Sequence, residues 1–275
     1  MLVLIATPIG NLEDLSSRAI KTLASCHLLL CEDTRYTGRL LDRLSIQVPF
    51  LRSIHKFNET RQIERVIHFL REGKQVGLVS DAGTPGISDP GGRLVARCHE
   101  EGLSVTIVPG PSAFVSAYAL SGAMADRVQF LGFLPKSHAS REKILREMMQ
   151  YPGATVIYES PHRLGDTLSA AATLAPQWKV TLVRELTKKF EQVRSDDVSV
   201  LKDAISSGVK GECTLVFHPI EEKIEEVDLV SEVFCFREMY ESSLKGAVAF
   251  VAEKRKRSRR WLYQQCVARQ EKVGS

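Results

Sequence analysis

Four carboxylates stand just past apolar runs. Glu32 and Asp33 follow Leu28-Leu29-Leu30-Cys31, Glu159 follows Ala154–Tyr158, and Glu185 follows the run that ends at Val183. A carboxylate at such a place can take a proton from a weak nucleophile. His55 and His162 stand behind them as further candidates. The same carboxylates have basic neighbours, Arg35 for Glu32 and Asp33 and Arg163 for Glu159, so an ion pair is the competing reading at each. The longest concentration of special residues is Ser80–Gly92. It holds Asp81, Asp89, two prolines and four glycines. Glycines let backbone come close to a ligand, and prolines fix the loop's course. An ordinary turn-rich connection is the alternative, although few are this long. Pro109-Gly110-Pro111-Ser112-Ala113 is a second shaped turn, in which Ser112 is either a helix cap or a ligand contact. Arg35, Arg163, Arg184, Lys188 and Lys189 lie at or after the same loop ends, where they suit phosphate oxygens.

The elements that must carry these residues alternate in a simple way. Strands are expected at 2–6, 27–31, 50–54, 75–79 and 104–108, with helical apolar spacing between them, as in Ile63, Val66, Ile67 and Leu70. Strand, loop, helix, repeated, implies a parallel sheet covered on both faces. Each polar cluster then falls at a strand's carboxyl end, where open α/β sheets bind ligands. After residue 120 a basic helix over 141–149, strands at 154–158, 180–183 and 211–217 and intervening helices make a second α/β domain. The expected domains are 1–120, 121–220 and a helical 228–275, with 221–227 as a charged linker. Ser243 and Ser258 are placed to cap the last two helices.

Composition narrows the possibilities. The 275 residues are 44% hydrophobic and 25% charged, as in a soluble globular protein. No apolar run is long enough for a membrane span, and Met1–Ala6 has no basic segment of a signal peptide, so a cytoplasmic protein is expected. The six cysteines show no CxxC spacing and read as free thiols; neither they nor the scattered histidines suggest a metal site. A net charge of +4 does not itself imply nucleic acid. Its placement is more informative: six basic residues crowd Lys254–Arg260, next to Trp261 and Tyr263. Cations there suit phosphates, and the aromatics either stack on bases or pack the helical domain. No GxGxxG follows the first strand, so the usual dinucleotide fingerprint is missing.

Seven motifs in this order carry a family resemblance: Ala6-Thr7-Pro8-Ile9-Gly10-Asn11, Glu32-Asp33-Thr34-Arg35, Ser80–Gly91, Pro109–Ala113, Gly132-Phe133-Leu134-Pro135, Tyr158–Arg163 and Arg184-Glu185-Leu186-Thr187-Lys188. Together they resemble the ribosomal RNA small-subunit methyltransferase I family, strongly to about residue 218 and weakly beyond. That resemblance implies the two-domain tetrapyrrole-methylase-like fold (class III of the S-adenosylmethionine methyltransferases), with the cofactor between the α/β domains. It also implies 2′-O-methylation of a cytidine ribose in the decoding region of 16S rRNA, and a homodimer. By similarity Pro8, Ser80, Asp81, Thr84, Ser112, Ala113, Glu159 and Leu186 would hold S-adenosylmethionine. Glu32, Asp33 and Glu159 are the candidate catalytic carboxylates. Arg35, His55, Asn58, Arg163, Arg184, Lys254, Arg255, Arg257, Arg259 and Arg260 are candidates for RNA. The chain departs from the family at His55-Lys56-Phe57-Asn58, where His-Glu-His-Asn is usual. Two other functions stay open at this point: a methyltransferase of a small tetrapyrrole-like substrate, and a non-catalytic RNA-binding assembly protein.

Overall fold

Leu2–Ile5, Leu28–Cys31 and Val76–Leu78 have almost no polar side chain between them, and all three are buried nearly throughout. Only a sheet covered on both faces accommodates such strands. In the computed structural model, which describes residues 1–55, 58–206, 208–220, 228–255 and 257–273, they are β1, β2 and β4 of a five-stranded sheet. With β3 (Phe50–Ser53) and β5 (Val105–Val108) the order is β3-β2-β4-β1-β5, every pairing parallel. The period-2 alternation of a strand divides its residues between two cores. Leu2, Leu28 and Leu30 meet α3 (Glu59–Arg71) and α4 (Gly92–Glu100), whereas Val3, Ile5, Leu29 and Cys31 meet α1 (Ser17–Ser25) and α2 (Thr34–Arg43).

A second sheet has the order β6-β7-β10-β8-β9, from β6 (Val128–Phe133), β7 (Ala154–Glu159), β8 (Lys179–Arg184), β9 (Gln192–Asp197) and β10 (Cys213–Phe217). Only β6–β7 is parallel; the other three pairings are antiparallel. One face packs on α6 (His138–Gln150), α7 (Pro161–Leu174) and α8 (Val198–Ala204) through Leu145, Leu164, Leu168 and Leu201. The other face, with Ala154, Val156, Val183 and Val216, is covered by Ala117 of α5 (Ala113–Ser121). So α5 follows the first sheet in sequence, inside the expected 1–120 domain, yet buries its side chains on the second.

The chain divides into a unit over Met1–Ile220 and another from residue 221 on. The expected linker, 221–227, lies outside the described residues. The second unit is three helices, α9 (Leu229–Met239), α10 (Leu244–Lys254) and α11 (Arg259–Val273), around Val233, Val248, Val251, Leu262 and Cys266. Ser243 accepts from the Gly246 N–H at 3.1 Å and Ser258 from the Trp261 N–H at 3.3 Å, which are the expected caps. All six cysteines are free and all but Cys235 are buried.

Candidate active site

Parallel strands bring the loops after β1, β2, β4 and β5 to one sheet edge, and short hydrogen bonds knit those loops together. Thr7 and Gly83 exchange backbone hydrogen bonds at 2.8 and 3.1 Å, and Thr7 Oγ1 donates to the Ser80 carbonyl. Gly83 has φ +82°, a region that favours glycine. Asp81 Oδ1 accepts from the Asp33 N–H at 3.1 Å, which joins the β2 and β4 loops. Thr84 Oγ1 donates to the Pro111 carbonyl at 3.1 Å, which joins the β4 and β5 loops.

The second sheet closes on this edge at two points. An added Cβ at Gly10 would lie 2.9 Å from the Leu186 carbonyl and 2.7 Å from Thr187 Oγ1, so only glycine allows the approach. Next to it the Asn11 N–H donates to Thr187 Oγ1 at 3.1 Å. The turn 185–187 that receives it is held in an unusual conformation, with Glu185 at φ 51° and Thr187 at φ 63°. The Glu185 carboxylate stabilises that turn by accepting from Lys188 Nζ and the Glu212 N–H, each at 3.0 Å, and Lys188 holds it below the usual carboxylate range. The second contact is Gly132, at φ +63°, where a Cβ would come within 2.8 Å of Ser88 Oγ.

Between these contacts is a cavity of about 370 Å³. That is within the range of small-molecule sites, roughly 300–1,000 Å³. From the first sheet it is lined by Ile9, Glu32, Asp81, Thr84, Asp89, Ser112 and Ala113, among others. From the second come Phe133, Tyr158, Glu159, Val183, Leu186 and Thr214. Ile9, Phe133, Val183 and Leu186 give it apolar walls. Five carboxylates line it, Glu32, Asp81 and Asp89 from the first sheet's loops and Glu159 and Glu212 from the second sheet. Burial raises the pKa of Glu32, Asp81 and Asp89. The Asp81 charge adds to the effect on Glu32, and Glu32 and then Asp81 on Asp89, which is pushed up to about 6. Apolar walls around mutually repelling carboxylates suit a compact organic cation, whose charge offsets both the burial and the repulsion.

Six of the eight residues expected at the cofactor, Asp81, Thr84, Ser112, Ala113, Glu159 and Leu186, line this cavity. Ser80 is buried, with its hydroxyl on the Ala82 carbonyl at 3.2 Å, so it braces the loop. Pro8 is half-buried beside the lining residue Ile9. Among the catalytic candidates only Glu32 both lines the cavity and is free of ion pairs. Asp33 caps α2 and binds Arg35, with 2.6 Å between Oδ2 and Nη2, which holds its carboxyl far below the usual range. Glu159 has no side-chain exposure; it accepts from Thr167 Oγ1 at 2.7 Å and the Ser160 N–H at 2.9 Å, with Arg163 Nε at 3.4 Å. Both therefore adopt the ion-pair alternative raised by the sequence. Sequence reasoning did not pick out Asp89, Tyr158 or Thr214 as lining. Asp89 had a signal, since it occupies the same punctuated loop as Asp81.

The cations separate into different groups. Arg163 donates to the Leu134 and Pro135 carbonyls at 2.6 and 3.1 Å, turned into the protein. Arg184 binds Gln192 and the Lys210 carbonyl. Arg35 is 85% exposed at its side chain, on Asp33. His55 is exposed, and its N–H donates to Asn58 Oδ1 at 2.9 Å; Lys56 and Phe57, the departure from the family pattern, lie outside the described residues. In the helical unit Lys254 and Arg255 both reach Glu232, Arg259 reaches Glu253, and Arg257 and Arg260 are exposed.

The two α/β sheets and the ligand-sized cavity at their strand ends are those of a methylase of the tetrapyrrole class. The family model described as Tetrapyrrole (Corrin/Porphyrin) Methylases matches residues 1–201. A solved cobalt precorrin-4 methyltransferase is similar at TM-score 0.59 with 17% identity, covering 79% of this chain and 94% of its own. Within that class, the chain belongs to the ribosomal RNA small subunit methyltransferase I family. It is 36% identical to the protein of that name from Haemophilus influenzae, across 99% of this chain and 98% of the relative. It is 37% identical to the one from Pseudomonas aeruginosa, across 98% of each. The Thermotoga maritima relative is 42% identical, but 96% of its length corresponds to only 78% of this chain.

Proposed function

We propose that the protein transfers a methyl group from S-adenosylmethionine to the 2′-hydroxyl of a cytidine ribose in the decoding region of 16S rRNA. The observation that carries this reading is the near full-length similarity to small-subunit rRNA methyltransferases, at 36–37% identity. The cavity supports the cofactor: its carboxylates suit a sulfonium and an ammonium group, and its apolar walls suit an adenine. When bound, S-adenosylmethionine supplies a methyl carbon open to in-line displacement. The acceptor hydroxyl would then have to give its proton to a base of this chain. Glu32 is the residue we assign to that proton, since it lines the cavity free of ion pairs and burial makes it a stronger base than an exposed glutamate. Asp81, Thr84, Ser112, Ala113 and Leu186 position the donor, and much of the rate comes from that alignment. Asp33 and Glu159 hold the loops in place.

No helix among the described residues is long and apolar enough to cross a membrane. For the homodimer we assign the β6 edge to a second copy, because Leu131 and Phe133 are 40% and 57% exposed there. Sedimentation tests that assignment. The function is tested by transfer of tritium from labelled S-adenosylmethionine to small ribosomal subunits lacking the modification, with porphyrinoids as the competing acceptor. Label on the ribose of the RNA is the expected result; label only on the porphyrinoid overturns it.

A further inference from the structure

The helical unit has a groove of about 420 Å³ between α10 and α11. Lys245, Val248, Arg259, Arg260, Tyr263 and Gln264 line it, with no carboxylate in the lining. The unit's cations are not equivalent. Lys254 and Arg255 are tied to Glu232 at 3.1 and 3.0 Å, within the unit. Lys245 and Arg260 are exposed and have no side-chain hydrogen bond or ion pair among the described residues. Arg259 reaches Glu253 yet keeps 64% of its side chain exposed. Tyr263 is half-buried against the helical core, which holds its ring in the groove wall, and Val248 is buried beneath it.

From this placement we infer that the α10–α11 groove is the unit's RNA-binding site, taking backbone phosphates on Lys245 and Arg260 and an unpaired base on Tyr263. Unpaired cations around an aromatic ring match the charge and the flat bases of a single strand. Gln264 adds both a donor and an acceptor for a base edge. The Lys254-Arg255 pair is a brace for α9 against α10, not a contact. This inference rests on the RNA substrate proposed above.

The test uses the full-length protein, a fluorescein-labelled single-stranded oligoribonucleotide and intact small subunits. Lys245→Gln and Arg260→Gln each weaken oligonucleotide binding, by roughly fivefold, and each lowers the slope of log K against log salt by about 0.7. Tyr263→Leu keeps the apolar packing, weakens binding by about tenfold and leaves the salt slope unchanged. Arg237→Gln on α9 removes the same charge outside the groove and serves as the control. Equal losses in the control and the groove variants mean diffuse attraction and overturn the site. Unchanged RNA binding in all three groove variants also overturns it, including the case where an acidic protein is what the face prefers. Methyl transfer to small subunits by the wild-type protein is scored separately. If it fails while the groove variants still lose oligonucleotide binding, the proposed reaction falls and the groove stands.

Discussion

Asp89 titrates at about 6, well above a free aspartate, because of burial first and then its carboxylate neighbours. Between about pH 4 and 6 the folded protein therefore keeps a proton that the unfolded chain has lost. Stability falls as the pH rises through that window, and the penalty is complete above it. Asp89→Asn removes the penalty: it raises the melting temperature relative to wild type at pH 7.5, and the gain disappears near pH 4. Scanning calorimetry at the two pH values reads this directly. A cation seated among Glu32, Asp81 and Asp89 reverses the penalty, so affinity for S-adenosylmethionine climbs as the pH passes 6 and Asp89→Asn flattens the climb. Asp81→Asn keeps an acceptor for the Asp33 N–H but removes a charge. It should cost about tenfold in cofactor affinity by titration calorimetry, with oligonucleotide retention unchanged. Glu159 behaves differently. Glu159→Ala leaves Arg163 without its buried partner and lowers unfolding free energy by about 3 kcal/mol in urea titration. Lost turnover with full stability would instead make it a direct participant in the reaction.

At the scale of elements, the two sheets meet at glycines. Gly10→Ala pushes a methyl group against the Leu186 carbonyl, a backbone atom that cannot rotate away. The expected cost is about 1–3 kcal/mol in stability together with weaker cofactor binding, since Leu186 is a wall of the cavity. Denaturant titration and calorimetry on the same sample separate the two effects. The first sheet could be read from residues 2–108 because its three inner strands, β1, β2 and β4, are short apolar runs buried nearly throughout. The second was less readable. β9 is Gln192-Val193-Arg194-Ser195-Asp196-Asp197, an exposed edge strand with one apolar residue, so hydrophobic patterning does not mark it. The antiparallel pairings of β10 with β7 and β8 depend on which strands become neighbours, which composition does not encode. The Asp33–Arg35 and Glu159–Arg163 pairs were legible as possibilities from spacing; choosing between pair and base needed burial and distance. Asp89 was visible in its loop, but only the fold places it beside Glu32.

For the whole molecule, the Thermotoga maritima relative is informative. Nearly all of its chain corresponds to 78% of this one. The unit over Met1–Ile220 contains every lining residue of the cavity. A chain ending at Ile220 should therefore bind S-adenosylmethionine with unchanged affinity by calorimetry, and lose RNA affinity in a filter assay. Loss of cofactor binding would mean that the three helices support the cavity as well.

The strand order β3-β2-β4-β1-β5 has a consequence for synthesis. The first segment made, Leu2–Ile5, occupies an interior position, and its nearer partner, Val76–Leu78, is translated some seventy residues later. At about 5–20 residues per second, the emerging N-terminus waits roughly 4–15 s with its aliphatic side chains uncovered. Chaperones that bind nascent chains have that interval in which to engage it, and a ribosome stalled before residue 76 would hold it in that state.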